Sequence, residues 1–442
     1  MPRTRYIIVG TGSRSNMFIT AIARDYREHA EVVGFCDVNQ VRMDWYNRKL
    51  AEWGAAPVQT AKPEGFDRLV RETKADVVIV TSVDRTHHRY IIRAMELGCD
   101  AISEKPMTVD AEKAQEVLDA IRRTGRRLRV TFNYRYAPRN SKVKELLMQG
   151  AVGEVLSVHF EWLLDTRHGA DYFRRWHRDR RNSGGLMVHK STHHFDLVNW
   201  WLASRPVQVF GMGRLGFYGR ENAERRGVTA FYERATGSAA AAKDPFALHL
   251  DRDPNLTGLY LEAEREDGYL RDQSVFGNNI SIEDDMAVMV RYASQATMTY
   301  HLTAYSPWEG YRIAFNGTKG RLEYDCEENS YVSGAEGDAN RPDIRDASEH
   351  LPSEPHRILV RPHWGRPMKV EVETAKGGHG GGDQRLLDDL FLPGRPADPL
   401  GRAADHIDGC RSILTGIAAN RSFATGLPVG VDGLVRGLDL PG

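Results

Sequence analysis

The stretch Ile7-Ile8-Val9-Gly10-Thr11-Gly12-Ser13-Arg14-Ser15 decides the fold. Three β-branched residues run straight into two glycines and then into a helical segment, the strand, turn and helix that open a dinucleotide-binding unit. Gly10 permits the tight turn, and Gly12 lets the backbone approach a diphosphate seated at the start of the helix. Ser13 and Arg14 continue that turn and belong with the cofactor contacts. The third glycine of the usual fingerprint is replaced by Ser15, and glycine turns after strands are common, so the motif needs support. Asp37 supplies it. It closes a second strand about 20 residues on, where a carboxylate accepts from both ribose hydroxyls, and this favours NAD over NADP. A helix cap is the other use of an Asp there.

Outward from this motif, the first third alternates short apolar runs with amphipathic stretches, as a parallel sheet wrapped by crossover helices requires. Expected strands are Tyr6–Val9, Val32–Cys36, Val77–Thr81, Ala101–Ser103 and Leu128–Phe132, with helices near Asn16–Arg27, Val41–Trp53, His88–Leu97 and Ala111–Arg123. Residues 1–135 thus read as an α/β Rossmann domain that holds NAD. From Val155 on the texture turns β-rich, in runs such as Val155–Leu163, Ala287–Tyr292 and Thr297–Thr303. Residues 136–442 therefore read as an α+β domain for substrate binding and oligomerisation, on a large, mostly antiparallel open sheet. Within it, 219–277 has many charges and little periodicity and reads as a partly ordered insertion. Gly377–Gly382 reads as a flexible glycine-rich turn.

Lys plus Arg and Asp plus Glu balance at 60 each, so no overall field draws the chain onto nucleic acid or an anionic membrane. The four cysteines form no C-x-x-C pair, which argues against a zinc ribbon or dithiol redox site. A first strand starting at Tyr6 leaves no room for a signal peptide, and no run reaches ~18 apolar residues. The expectation is a cytoplasmic enzyme with free thiols and neither a nucleic-acid nor a membrane partner.

Several motifs, taken in order, make the chain resemble the glucose-fructose oxidoreductase, inositol dehydrogenase and rhizopine catabolism (Gfo/Idh/MocA) family along nearly its whole length. They are Thr81-Ser82-Val83-Asp84-Arg85-Thr86-His87, Glu104-Lys105-Pro106, Asn133-Tyr134-Arg135-Tyr136, the run Gly184 to Asp196 ending His193-His194-Phe195-Asp196, Asn316-Gly317-Thr318-Lys319-Gly320 and the closing Ala418–Val429. The resemblance implies that Thr81, Ser82, His87, Glu104, Lys105 and Asn133 line the cofactor. It implies a homodimer or homotetramer. It makes Lys105 the cation that polarises a substrate hydroxyl and His193 the group that takes its proton. Pro106 would fix the bend, through a cis bond.

One position departs from the family. Where an Asp commonly stands four residues before the catalytic histidine, this chain has His189, with Lys190 beside it. The usual Asp and His pairing is then missing, and His189 and Lys190 join Lys105 and His193 as catalytic candidates in a more cationic site. His189 and His193 also have the i, i+4 spacing that can chelate a metal, with Asp196 nearly in line, but the family works without metal and none is expected.

Upstream, Asp171 to Arg181 read Asp-Tyr-Phe-Arg-Arg-Trp-His-Arg-Asp-Arg-Arg. Arginine forks suit an anionic group and aromatic faces suit sugar rings, so Arg174 and Trp176, with Tyr136 and His194, are the expected substrate contacts. The bland alternative is a solvated, salt-bridged loop. Three functions follow: an NAD-dependent oxidoreductase acting on a secondary hydroxyl of a sugar, glycoside or cyclitol, anionic sugars included; a redox-neutral, NAD-dependent glycosidase that oxidises, eliminates, adds water and reduces; and a non-catalytic NAD-binding sugar sensor. Retention of Lys105 and His193 argues against the sensor.

Overall fold

The computed structural model describes residues 2–334, 356–373 and 378–438. Strands β1 (Thr4–Val9), β2 (Ala30–Cys36), β3 (Gln59–Ala61), β4 (Val77–Val80), β5 (Asp100–Ser103) and β6 (Leu128–Val130) form one parallel sheet in the order β3-β2-β1-β4-β5-β6. The order reverses beside β1, and ligands of such sheets bind in the crevice at the carboxyl ends of the strands there. Ile7, Ile8 and Val9 are buried, since a central parallel strand is covered by helices on both faces. The edge strand β3, three residues long, has too little pattern to be read from sequence.

The second sheet comprises β7 (Val155–Asp165), β8 (Pro206–Arg214), β9 (Asp285–Tyr292), β10 (Thr297–Ser306), β11 (Glu309–Gly317), β12 (Gly320–Asn329), β13 (His356–Pro362), β14 (Met368–Val370) and β15 (Val429–Gly430). Their order is β14-β13-β12-β11-β7-β10-β9-β8-β15, and every pair is antiparallel except β7 with β10. Thr318-Lys319 form the two-residue hairpin turn between β11 and β12, closed by Gly317 opposite Gly320. Along β9 and β10 buried and exposed residues alternate, so one face packs on helices, among them Thr192–Leu202 and His406–Thr425, and the other is bare. On the bare face Met212 and Met289 are 70% and 54% exposed.

The 219–277 segment differs from expectation. It folds into short helical turns, including Leu250–Arg252, Pro254–Leu256, Thr257–Leu261 and Glu264–Asp267. Its order comes from a borrowed core: Leu248, Leu250, Leu259 and Tyr260 cluster with Phe18, Ile22, Met43 and Tyr46 of the first domain. A segment that completes another domain's core shows no periodicity of its own. Within the glycine-rich turn, Gly377 lies outside the described residues, and His379, Gly380 and Gly381 are successively left-handed.

Candidate active site

Gly10 has φ +85°, and a Cβ there would meet the Ser82 backbone at 2.5 Å, so only glycine fits. The Thr81 hydroxyl donates to the carbonyls of Gly10 at 2.6 Å and Val9 at 3.1 Å, tying the loop to the end of β4. Ser82 Oγ meets Thr86 Oγ1 at 2.8 Å. Asp37 is 8% exposed. Its Oδ2 accepts from Thr11 N at 2.5 Å and Thr11 Oγ1 at 3.0 Å, and Oδ1 accepts from Asn39 N at 2.9 Å. Burial pushes this carboxyl above its ordinary value against the pull of Arg42 and those bonds. A cradle that a Cβ would fill and a buried acid at the ribose end fit a dinucleotide.

Arg14 reaches from the loop to Glu104 Oε1 at 2.7 Å, which also accepts from Thr131 Oγ1 at 2.8 Å. Burial alone would raise Glu104, but Arg14, Lys105 and Thr131 outweigh it and hold the carboxyl below its ordinary value. The Lys105-Pro106 bond is cis. His87 braces the turn, its ring nitrogens meeting Pro106 O at 2.8 Å and Ser82 O at 2.9 Å, so it supports the site from behind. Lys105 Nζ donates to the His189 carbonyl at 3.3 Å. Burial lowers its ammonium to about 8, while Glu104 and Asp84 keep it from falling further.

The carboxylate missing from position 189 comes from elsewhere. Asp84, on the turn after β4, meets His189 Nδ1 through Oδ2 at 2.5 Å. Burial pushes Asp84 up and His189 down, and Lys105 and His177 add to the fall of His189. The same carboxyl group also acts on Lys105, so it serves both side chains. Against His189 stand His177 at 4.2 Å and Tyr172 at 5.5 Å between ring centroids, and Trp176 stacks on His177 at 3.6 Å. Lys190 Nζ lies 5.0 Å from the Trp162 ring and 5.8 Å from that of Tyr134.

His193 packs edge-on to Tyr134 at 4.9 Å and 5.9 Å from His379. Its Nδ1 has no hydrogen-bond partner among the described residues. Burial, then Lys105, His379 and Lys190, hold its pKa well below the ordinary histidine value, so the ring is a neutral proton acceptor at neutral pH. Asn133 donates to Asp383 at 2.6 Å and meets His379 Nδ1 at 2.8 Å, steadying the histidine beside His193.

Of the residues expected from sequence, the glycine loop, Thr81, Ser82, Glu104, Lys105, His189, Lys190, His193 and Trp176 gather here. Three expected substrate contacts do not. Tyr136 donates at 2.7 Å to Asp389, which also pairs with Arg129. Arg174 is spent on the carbonyls of Phe246 at 2.7 Å and Arg167 at 3.3 Å, anchoring the insertion. His194 is stacked on Trp162 at 3.9 Å and bonded to Tyr300 at 2.6 Å in the core, because adjacent helical residues point about 100° apart. His189 and His193 lie on separate short helices, Leu186–His189 and Thr192–Leu202, and Asp196 is bound to Arg135 at 2.8 and 2.5 Å. Among the described residues no group of three or more His, Cys, Asp or Glu is placed to hold a metal. Sequence reasoning missed Asp84, His177 and Tyr172; Asp84 stood inside a recognised motif, but its partner is 105 residues away.

Two family models match this chain: "Oxidoreductase family, NAD-binding Rossmann fold" over residues 4–132 and "Oxidoreductase family, C-terminal alpha/beta domain" over residues 144–431. The chain belongs to the Gfo/Idh/MocA oxidoreductase family. Among its family relatives, YteT of Bacillus subtilis (strain 168), named as an oxidoreductase, is 35% identical over 97% of this chain and 98% of its own length. Glycosyl hydrolase family 109 protein 1 of Akkermansia muciniphila is 26% identical over 43% of this chain and 41% of its own. The WlbA dehydrogenase of Bordetella pertussis, solved with NADH and UDP-GlcNAcA, has a TM-score of 0.60 at 19% identity, covering 97% of this chain and 99% of that one. This Gfo/Idh/MocA member is thus an NAD-dependent oxidoreductase with both sugar dehydrogenase and glycosidase relatives.

Proposed function

We propose that the protein oxidises a secondary ring hydroxyl of a sugar, glycoside or cyclitol. The observation that carries this reading is the convergence of Lys105, His193 and the Asp84–His189 pair beside the glycine loop. NAD bound at that loop supplies the hydride acceptor. Lys105, still largely charged at neutral pH with its value near 8, polarises the hydroxyl oxygen, and neutral His193 takes the proton. Trp176 offers an aromatic face for a sugar ring, and Lys190 supplies positive charge for an anionic one.

A second reading has its own observation. Removing one hydroxyl proton needs one base, yet Asp84, His189 and His177 add proton-transfer groups next to it. Elimination across a glycoside needs such groups, for the carbon-bound proton and for the leaving group, and this supports a redox-neutral glycosidase as the alternative. A panel of sugars and aryl glycosides, followed for NADH and aglycone together, separates the two. NADH in proportion to ketosugar supports the dehydrogenase. Aglycone without net NADH, with deuterium from heavy water on the ring carbon next to the anomeric centre, supports the glycosidase. Turnover of nothing in the panel by protein loaded with NAD favours the sensor.

We place the enzyme in the cytoplasm, alongside the NAD pool; its four cysteines are unpaired and no helix among the described residues is long and apolar enough to cross a membrane. The bare sheet face with Met212 and Met289 is the surface for a homodimer or homotetramer.

A further inference from the structure

The insertion does more than complete a core. Its Tyr260 hydroxyl sits on the glycine loop, accepting from Ser13 N at 2.8 Å and meeting Ser13 Oγ at 2.7 Å. The Arg271 guanidinium lies over the Tyr260 ring at 4.5 Å, and Arg42 stands on the same ring at 5.6 Å. Arg175 is held by Asp171 at 2.6 Å. The Nε atoms of Arg175 and Arg271 are buried without a hydrogen-bond partner among the described residues. Burial would raise the Tyr260 phenol, yet Arg271, Arg175 and the Ser13 bonds bring it below its ordinary value, so its oxygen stands where negative charge is favoured. That oxygen occupies a backbone N–H of the very loop that meets the cofactor's diphosphate.

The insertion is also tethered around the ribose end. Asn39 Nδ2 donates to Ala263 O at 2.8 Å, Arg42 Nε donates to Leu259 O at 3.2 Å and pairs with Asp267 at 2.8 Å, and Gln40 N donates to Glu266 at 2.7 Å. These contacts leave Asp37 nearly covered.

We propose that the insertion is a clasp for the dinucleotide, in which Tyr260 and Arg271, with Arg175, supply the second half of the diphosphate site opposite Ser13 and Arg14 and hold the cofactor in place. Tyr260 donates its hydroxyl, and the arginines add positive charge to that of Arg14, which is paired with Glu104. The tethers must part for the dinucleotide to leave, so release is slow.

The test is the rate at which NADH leaves the purified full-length protein, read by its fluorescence on displacement with excess NAD and independent of any sugar substrate. Wild type should retain dinucleotide through gel filtration. Tyr260→Phe and Arg271→Ala should each speed release about tenfold or more, as the loss of a bond to a charged group predicts. Loosening the tethers with Glu266→Gln plus Asp267→Asn should speed entry and exit together and leave Kd little changed. Melting temperatures check that each variant folds; if Arg271→Ala fails, Arg271→Lys, which keeps a cation, and Tyr260→Phe decide. Release rates in these variants within twofold of wild type would overturn the proposal. So would tighter NADH binding by Tyr260→Phe, because the phenol would then be a competitor for Ser13.

Discussion

Asp84→Asn tests whether the carboxylate borrowed from the first domain replaces the one missing at position 189. The substitution keeps the shape and removes the charge from a 2.5 Å contact with His189 Nδ1. A buried hydrogen bond to a charged partner contributes about 1.5–3 kcal/mol, or roughly 10- to 150-fold in rate if it is needed in the transition state. A second effect runs through Lys105, whose value near 8 is supported by Asp84 after Glu104. The nearby negative charge favours the lysine cation, so its loss should lower Lys105 further. The sign follows: the lysine cation is present below its pKa and lost above it, so the alkaline limb of kcat/KM, near pH 8 in wild type, should move toward neutrality. NADH affinity should stay unchanged, because Asp84 does not touch the glycine loop. The assay is initial rate against pH, with the best substrate from the sugar panel, beside an NADH titration. An alkaline limb in its wild-type place with kcat/KM hardly altered would refute the reasoning.

Lys105→Ala and His193→Ala should abolish turnover while NADH still binds, as fluorescence titration would show; near-normal rates in either would remove its assigned role. Asp37→Ala should weaken NAD binding by on the order of 1–3 kcal/mol, read by calorimetry, since a buried acceptor for the ribose hydroxyls is lost. Arg174→Ala should lower the melting temperature and leave KM unchanged, because its guanidinium is taken up by the carbonyls of Phe246 and Arg167 and by Asp171; a raised KM with an unchanged melting temperature would restore it as a substrate contact. Met289→Lys on the bare sheet face should shift the assembly toward monomer in light scattering, and an unchanged mass would place the interface elsewhere.

Local rules made much of this protein legible from its sequence. Gly10 is required by the left-handed φ of its own turn, the alternation along β9 and β10 by the two-residue period of a strand, and the place of Asp37 by the end of β2. Lys105 and His193 were legible because each sits in a short motif whose order along the chain is itself the signal. Contacts between distant segments were not legible. Asp84 finds His189 105 residues on, and Ser13 finds Tyr260 247 residues on. Neither member of such a pair carries a local mark of the other. Side-chain direction was equally hidden: Arg174, Tyr136 and His194 had suitable chemistry for a sugar, but their neighbours in the fold had already claimed it. A strand or a turn is decided by residues that are adjacent in the chain, and sequence records those directly. Which carboxylate meets which imidazole is decided when two domains and an insertion pack, and that the tertiary structure alone determines.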